Sequence, residues 1–155
     1  MGCASESLAQ DLTEFLASVC GRRRVRAIAE EMNGEALAEK CVAASLGMLL
    51  AKKRALPHRM VDPDKAVRAA LGISQENDVR ISAWNRSLSR AETEAQVQAE
   101  YGKRERYWLE QLQDLDTWPV LFICGANHVR SFSALLTDRS IENSIEADDW
   151  PVEDI

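Results

Sequence analysis

The chain has 155 residues, enough for one domain that buries roughly two-thirds of its unfolded surface. Its net charge of −6 argues against general affinity for nucleic acid or for an anionic membrane surface. No stretch approaches the roughly 18 to 20 apolar residues needed to cross a bilayer.

The N-terminus carries no basic region followed by an apolar one, so no secretory signal is expected. Met1-Gly2-Cys3 opens like a lipidation signal, but Glu6 stands where the myristoylation pattern wants Ser or Thr. The four cysteines form no CxxC pair and no zinc spacing, so the reducing cytoplasm is the expected compartment. Cys41 and Cys124 sit in apolar surroundings and read as buried thiols.

Residues 5–20 predict a helix with Leu8, Leu12, Phe15, Leu16 and Val19 as its apolar stripe, Ser5 or Ser7 as its cap and Gly21 as its stop. The basic run Arg22-Arg23-Arg24 reads as a solvated strand entry rather than a phosphate site. Residues 24–29 predict a short buried strand, with Glu30 and Glu31 at its carboxyl end. Adjacent carboxylates point to opposite sides of a strand, so at most one of them faces a given pocket. The plain alternative is that both are solvated.

Residues 33–53 predict one helix, capped by Asn33, with Leu37, Cys41, Ala44, Met48 and Leu49 on its inner face. Residues 56–61 predict a second strand that includes His58, with Pro57 at its start. Asp62 reads first as an N-cap, Pro63 suits the first helical position, and Gly72 stops a short helix over 65–71. Residues 73–89 have mixed periodicity and leave a lid, a broken helix or an excursion from the core open. Residues 91–115 predict a long helix with Val97, Tyr101, Trp108, Leu109 and Leu112 inward.

The apolar run 119–124 predicts a strand buried on both faces, and Gly125 ends it. The period then changes. Val129, Phe132, Leu135 and Leu136 fall on one helical face, which places His128 in the turn or the first helical residues. Residues 141–147 are a candidate edge strand. Residues 1–150 are expected to form a single α/β domain, followed by a loose acidic tail at 151–155.

The order of elements implies a small, mostly parallel sheet of three to four strands with helices on both faces. In such a sheet the carboxyl ends of the strands share one edge, where ligands bind. That edge would gather Glu30, Glu31, Asp62 and His128, with Asp148 and His58 nearby. Carboxylates with imidazole suit either a divalent metal or acid–base activation of water. With two histidines in the chain, a three-histidine metal site is excluded within one copy, and no residue is assigned as a metal ligand. No HExxH, GxSxG or phosphate-loop motif is present.

Several short motifs carry a resemblance. Glu30-Glu31, Asp62-Pro63-Asp64 with Arg68, Arg104-Glu105 with Trp108, and CGANHV at 124–129 with Phe132 and Leu135-Leu136 resemble a group of uncharacterised bacterial proteins. That group is in turn similar to the TraB, ChaN and erythromycin-esterase superfamily. The superfamily includes proposed metal-dependent proteases, haem-binding lipoproteins and lactone-opening esterases. The resemblance implies that Glu30 or Glu31, Arg104 and His128 line a catalytic site, with Glu105 paired to Arg104 or joining it, and with His58 and Asp62 available for binding. One departure matters: the superfamily pattern opens with a strand ending in a Gly- and His-containing motif, and nothing before Arg24 supplies it. The chain is then a truncated form, an inactive relative, or one that uses His58 instead.

Two functions follow as expectations. One is a hydrolase-like site, metal-assisted or not, acting on an ester or amide. The other is a non-catalytic binding or protein-interaction module that has lost part of the site, and a haem or small-ligand binder is a weaker third. The expected partners are a small-molecule or peptide ligand, with no nucleic acid and no membrane, and a homodimer stays open. The cofactor is left unknown.

Overall fold

A computed structural model describes residues 3–150, with side chains from Gln10 onward. The predicted caps Ser5 and Ser7, Leu8 of the predicted stripe, and the predicted tail at 151–155 lie outside the described side chains. The first helix, α1, runs Cys3–Arg22 and continues through Gly21; Arg24, in the left-handed region at φ 51°, makes the turn into the sheet.

Three strands form the sheet: β1 (Ala27–Glu30), β2 (His58–Met60) and β3 (Val120–Ile123). Their order is β2-β1-β3 and both pairings are parallel. Ile28 registers with His58 on one side and Leu121 on the other. As the middle strand, β1 is buried at all four positions, which is why it reads as small and apolar rather than alternating.

Helices cover both faces, as the α/β pattern requires. On one face Ile28 and Leu121 pack with Leu16, Val19 and Cys20 of α1 and with Leu50 and Ala51 of α3 (Leu46–Arg54). On the other, Ala29 and Val61 pack with Trp108, Leu109 and Leu112 of α6 (Arg90–Gln113) and with Phe132 of α7 (Ala126–Asp138). Ile28 is fully buried, which contributes on the order of 2–3 kcal/mol of hydrophobic stabilisation. The remaining helices are α2 (Gly34–Glu39), α4 (Lys65–Leu71) and α5 (Glu76–Asn85). No helix among the described residues is long and apolar enough to cross a membrane.

Several expectations are corrected. The helix expected over 33–53 is two helices. Cys41, at φ 53°, breaks the run, and Ser45 starts the second helix by accepting a hydrogen bond from the Met48 N–H. Cys41 is therefore exposed rather than buried, and Cys124 is half-buried. Asn33 does cap the first of the two. Asp62 is not a cap: Asp64 accepts from the Val67 N–H and begins α4. Residues 73–89 contain α5, which packs against α6 and buries Val79 with Val97 and Tyr101. Residues 141–147 form no strand, because they run along the surface, where Glu146 pairs with Arg22 and Arg23.

The turn at α3 rests on a close approach. A Cβ added at Gly47 would stand 2.7 Å from the carboxyl carbon and Oε2 of Glu30. That carboxylate cannot swing aside, since it is buried and held by Ser45 and His58. Gly47→Ala is expected to lose about 1–3 kcal/mol of stability in urea unfolding. An unchanged midpoint would show that Glu30 is not fixed in this way.

Candidate functional site

The switch in strand order decides where the site lies. After β1 the chain turns toward the α1 and α3 face, and after β3 it turns toward the α6 and α7 face. The two exits diverge and leave a crevice between the carboxyl ends of β1 and β3, the usual place for a ligand in an open α/β sheet. A cavity of about 470 Å³ opens there on the α6 and α7 side, with Glu31, Arg68, Tyr101, Arg104 and His128 among its walls.

Glu31 follows directly on β1 and sits at the centre of the crevice. Its Oε2 accepts a hydrogen bond from the Gly125 N–H at 2.8 Å, and its Oε1 lies 3.0 Å from Nη2 of Arg104. Arg104 comes from α6 and also donates through Nε to Oδ1 of Asp62 at 2.5 Å. The same Asp62 oxygen accepts from the Trp108 indole N–H at 3.1 Å, and Oδ2 accepts from Asn33 at 3.2 Å. Burial alone would lower the pKa of Arg104, but the hydrogen bond and charge of Asp62, with the charge of Glu31, raise it instead. The guanidinium also stands over the Trp108 ring, 5.4 Å from its centroid.

His128 is the third residue of α7 and is buried, with 5% of its side chain exposed. Its Nδ1 lies 2.8 Å from Oε1 of Glu105, which also accepts from the Ser131 hydroxyl at 2.6 Å. A carboxylate oxygen accepts, so Nδ1 is the donor to Glu105 and Nε2 is the ring nitrogen left toward the cavity. Nε2 lies 4.0 Å from Glu31 and makes no hydrogen bond among the described residues. Tyr101 and Trp108 hold the ring by aromatic contact, at centroid distances of 4.2 and 4.8 Å. The Tyr101 hydroxyl donates to Glu76; burial first, then that bond, raises the phenol, and the same bond with Arg80 lowers Glu76.

Glu31, Arg104, His128, Asp62 and Glu105 thus meet on one side of the sheet. Glu30 and His58 do not. Glu30 points to the α3 face, where its Oε1 accepts from Ser45 and from Nε2 of His58, the latter at 2.7 Å. The cause is strand alternation: Glu30 shares a face with Ile28. Asp148 pairs with Arg130 at the exposed surface, away from the crevice. Among the described residues, no group of three or more His, Cys, Asp or Glu side chains is placed to hold a metal ion.

Sequence reasoning missed the roles of Tyr101, Glu76 and Ser131. One signal was available. Tyr101, Arg104, Glu105 and Trp108 recur at intervals of three and four on α6, so a single helix face carries both the apolar wall and the charged groups.

The fold and this cavity define a small parallel α/β protein with a polar site at its switch point. The chain matches no family model, no curated protein and no solved structure.

Cys124 reports on the charge around this site. Burial, then the negative charges of Glu31 and Glu105, push its thiol up to about 12. The folded state therefore keeps this proton. Its contribution to stability is complete below the ordinary thiol range and is lost as pH rises toward 12. Alkylation with iodoacetamide at pH 8, read by mass spectrometry, should modify exposed Cys41 and leave Cys124 intact, since only about 10⁻⁴ of its thiol is ionised there. Equal labelling of the two in folded protein would contradict this arrangement.

Proposed function

We propose that the cavity houses a hydrolase-like reaction, the attack of water on an ester or amide. The observation that carries this reading is the His128–Glu105 pair, whose imidazole has one nitrogen fixed by a buried carboxylate and the other free beside the cavity. That is the arrangement a general base needs: Glu105 sets the tautomer and ring angle, and Nε2 takes a proton from water as its oxygen bonds to the substrate carbonyl carbon. The proton then passes from Nε2 to the departing alkoxide or amine. Negative charge grows on the carbonyl oxygen, and the Arg104 guanidinium with the first N–H groups of α7 can receive it. Glu31 keeps Arg104 and the Gly125 turn in register. The convergence of Glu31, Arg104 and His128 also supports the distant resemblance to the TraB, ChaN and erythromycin-esterase superfamily, with a small-molecule or peptide substrate in the cytoplasm.

One observation favours a second reading, a binding module without turnover. Arg104 is already engaged by Asp62 and Glu31, which reduces its capacity to take up new negative charge.

A screen of ester and amide substrates separates the two. Under the first reading His128→Asn lowers kcat/KM by about 10²–10⁴-fold, and Glu105→Gln lowers it by a similar factor, with the circular dichroism spectrum unchanged. Turnover that survives His128→Asn intact would remove the enzyme reading. Binding without turnover in the wild type would establish the second.

A further inference from the structure

Helix α5 stands apart from the rest of the fold. The chain enters it after Gly72, at φ 62°, and leaves it through Ser87, at φ 54°. Between these two left-handed residues the helix packs against α6 and buries Val79 and Ala83. Val79 meets Val97 and Tyr101 of α6 in a small cluster separate from the two that cover the sheet. The outer side is bare, with Ile81 and Trp84 largely exposed. The other ties to α6 are polar: Arg80 reaches Glu94, Arg86 reaches Gln96, the Ser74 N–H donates to Glu100, and the Tyr101 hydroxyl donates to Glu76. Arg80 and Glu94 are 42% and 49% exposed, so water competes for that pair. A segment held by one small apolar cluster and solvated polar ties opens at a lower free energy than a buried sheet.

The same helix walls the polar cavity. Gln75, Glu76 and Asn77, at its start, line that cavity together with His128. His128 exposes only 5% of its side chain, and the Tyr101 ring lies against it at 4.2 Å. Tyr101 therefore touches the imidazole with its ring and α5 with its hydroxyl. A water and a substrate carbonyl together need more room at Nε2 than a ring so little exposed offers. The wall with the weakest hold on the rest of the fold is the one that Tyr101 links to that ring.

We propose that α5 is a lid over His128: it swings away from α6 as a unit, with the turns at Gly72 and Ser87 as its pivots, while the sheet and its two apolar clusters stay folded. Opening breaks the Tyr101–Glu76 bond, parts Val79 from Val97 and widens the cavity at Nε2 of His128. Closing returns the imidazole to a site shielded from bulk water. As regulation of that site the inference rests on the hydrolase reading; the motion itself does not.

Amide hydrogen exchange of the full chain, read by NMR, tests the motion. The amides of Ile81, Ser82 and Ala83 should exchange at least about 100-fold faster than those of Ala29 and Leu121. Ile28→Val, which weakens the sheet, should speed Ala29 and Leu121 by about fivefold and leave α5 unchanged. A single rate and a single response to Ile28→Val in α5 and the sheet would mean that the helix opens only with the whole fold, and overturns the proposal. Diethyl pyrocarbonate, which acylates imidazole nitrogen, then reads access to His128 by peptide mass spectrometry, with His58 on the opposite face as internal control. Val79→Ala should raise α5 exchange and His128 labelling together by about tenfold, with His58 labelling unchanged. Tyr101→Phe keeps the ring against His128 and loses only the bond to Glu76; it should raise both by about fivefold. His128 labelling that stays constant in both variants while α5 exchange rises also overturns the lid. Neither measurement involves turnover, so failure of the hydrolase reading and failure of the lid are separate outcomes.

Discussion

The Arg104 guanidinium, clamped between Asp62 and Glu31, is the contact on which the site depends. It joins α6 to the ends of two strands, since Glu31 follows β1 and Asp62 lies just beyond β2. Placing these charges in a low-polarity interior is costly, and the mutual attraction offsets that cost only when the remaining hydrogen-bonding positions are filled. Here they are filled. Asp62 accepts from the Trp108 indole and from Asn33, and Glu31 accepts from the Gly125 backbone. Asn33 also caps α2, so the start of that helix is tied to the same carboxylate. Removal of one partner leaves a buried charge without compensation, which in general costs about 3–5 kcal/mol.

Much of this arrangement was legible in the sequence where a pattern is set by short-range geometry. The apolar runs before Glu30 and Gly125 read as strands; the first is buried at every position as the middle strand, while β3, expected to be buried on both faces, lies at the sheet's edge and buries only Leu121. Alternation along a strand already separated Glu30 from Glu31, and the structure places them on opposite sides. The carboxyl-edge rule brought His128, Asp62 and Glu31 together from positions far apart in the chain. What stayed hidden was decided by contacts with distant segments. In the run Asp62-Pro63-Asp64 either aspartate suits a cap. Arg104 and Trp108, more than forty residues later, claim the first and leave the second for α4.

The other misreadings have similar causes. The apolar spacing over 33–53 hides a break: Leu37 is buried from the first helix, but in the second it is Leu50 that turns inward, while Leu49, expected on the inner face, is 56% exposed. The break itself depends on Ser45, whose hydroxyl serves both the Met48 N–H and the buried Glu30. Helix α5 was obscure for the opposite reason. Ile81 and Trp84 are 61% and 84% exposed on it, so its apolar residues do not form a single inward stripe. The strand expected at 141–147 does not join the sheet: β3 is an edge strand and makes no further pairing among the described residues.

The pair of glutamates at the end of β1 also explains why the crevice is divided. On the α3 side of the same strand ends lies a second cavity, of about 360 Å³, with a largely apolar wall that includes Met32, Leu37, Leu46 and Ile123. Glu31 and Gly125 border both cavities and are joined to each other by a hydrogen bond. A ligand that spanned the crevice would have to break a charge-assisted bond worth about 1.5–3 kcal/mol and release Arg104 from one of its anchors. Polar groups capable of chemistry lie on the α7 side, where His128 faces the cavity. On the far side Glu30 is engaged with Ser45 and His58, so the strand's two carboxylates perform separable tasks: one locks α3 to the sheet, and the other holds the wall of the polar cavity.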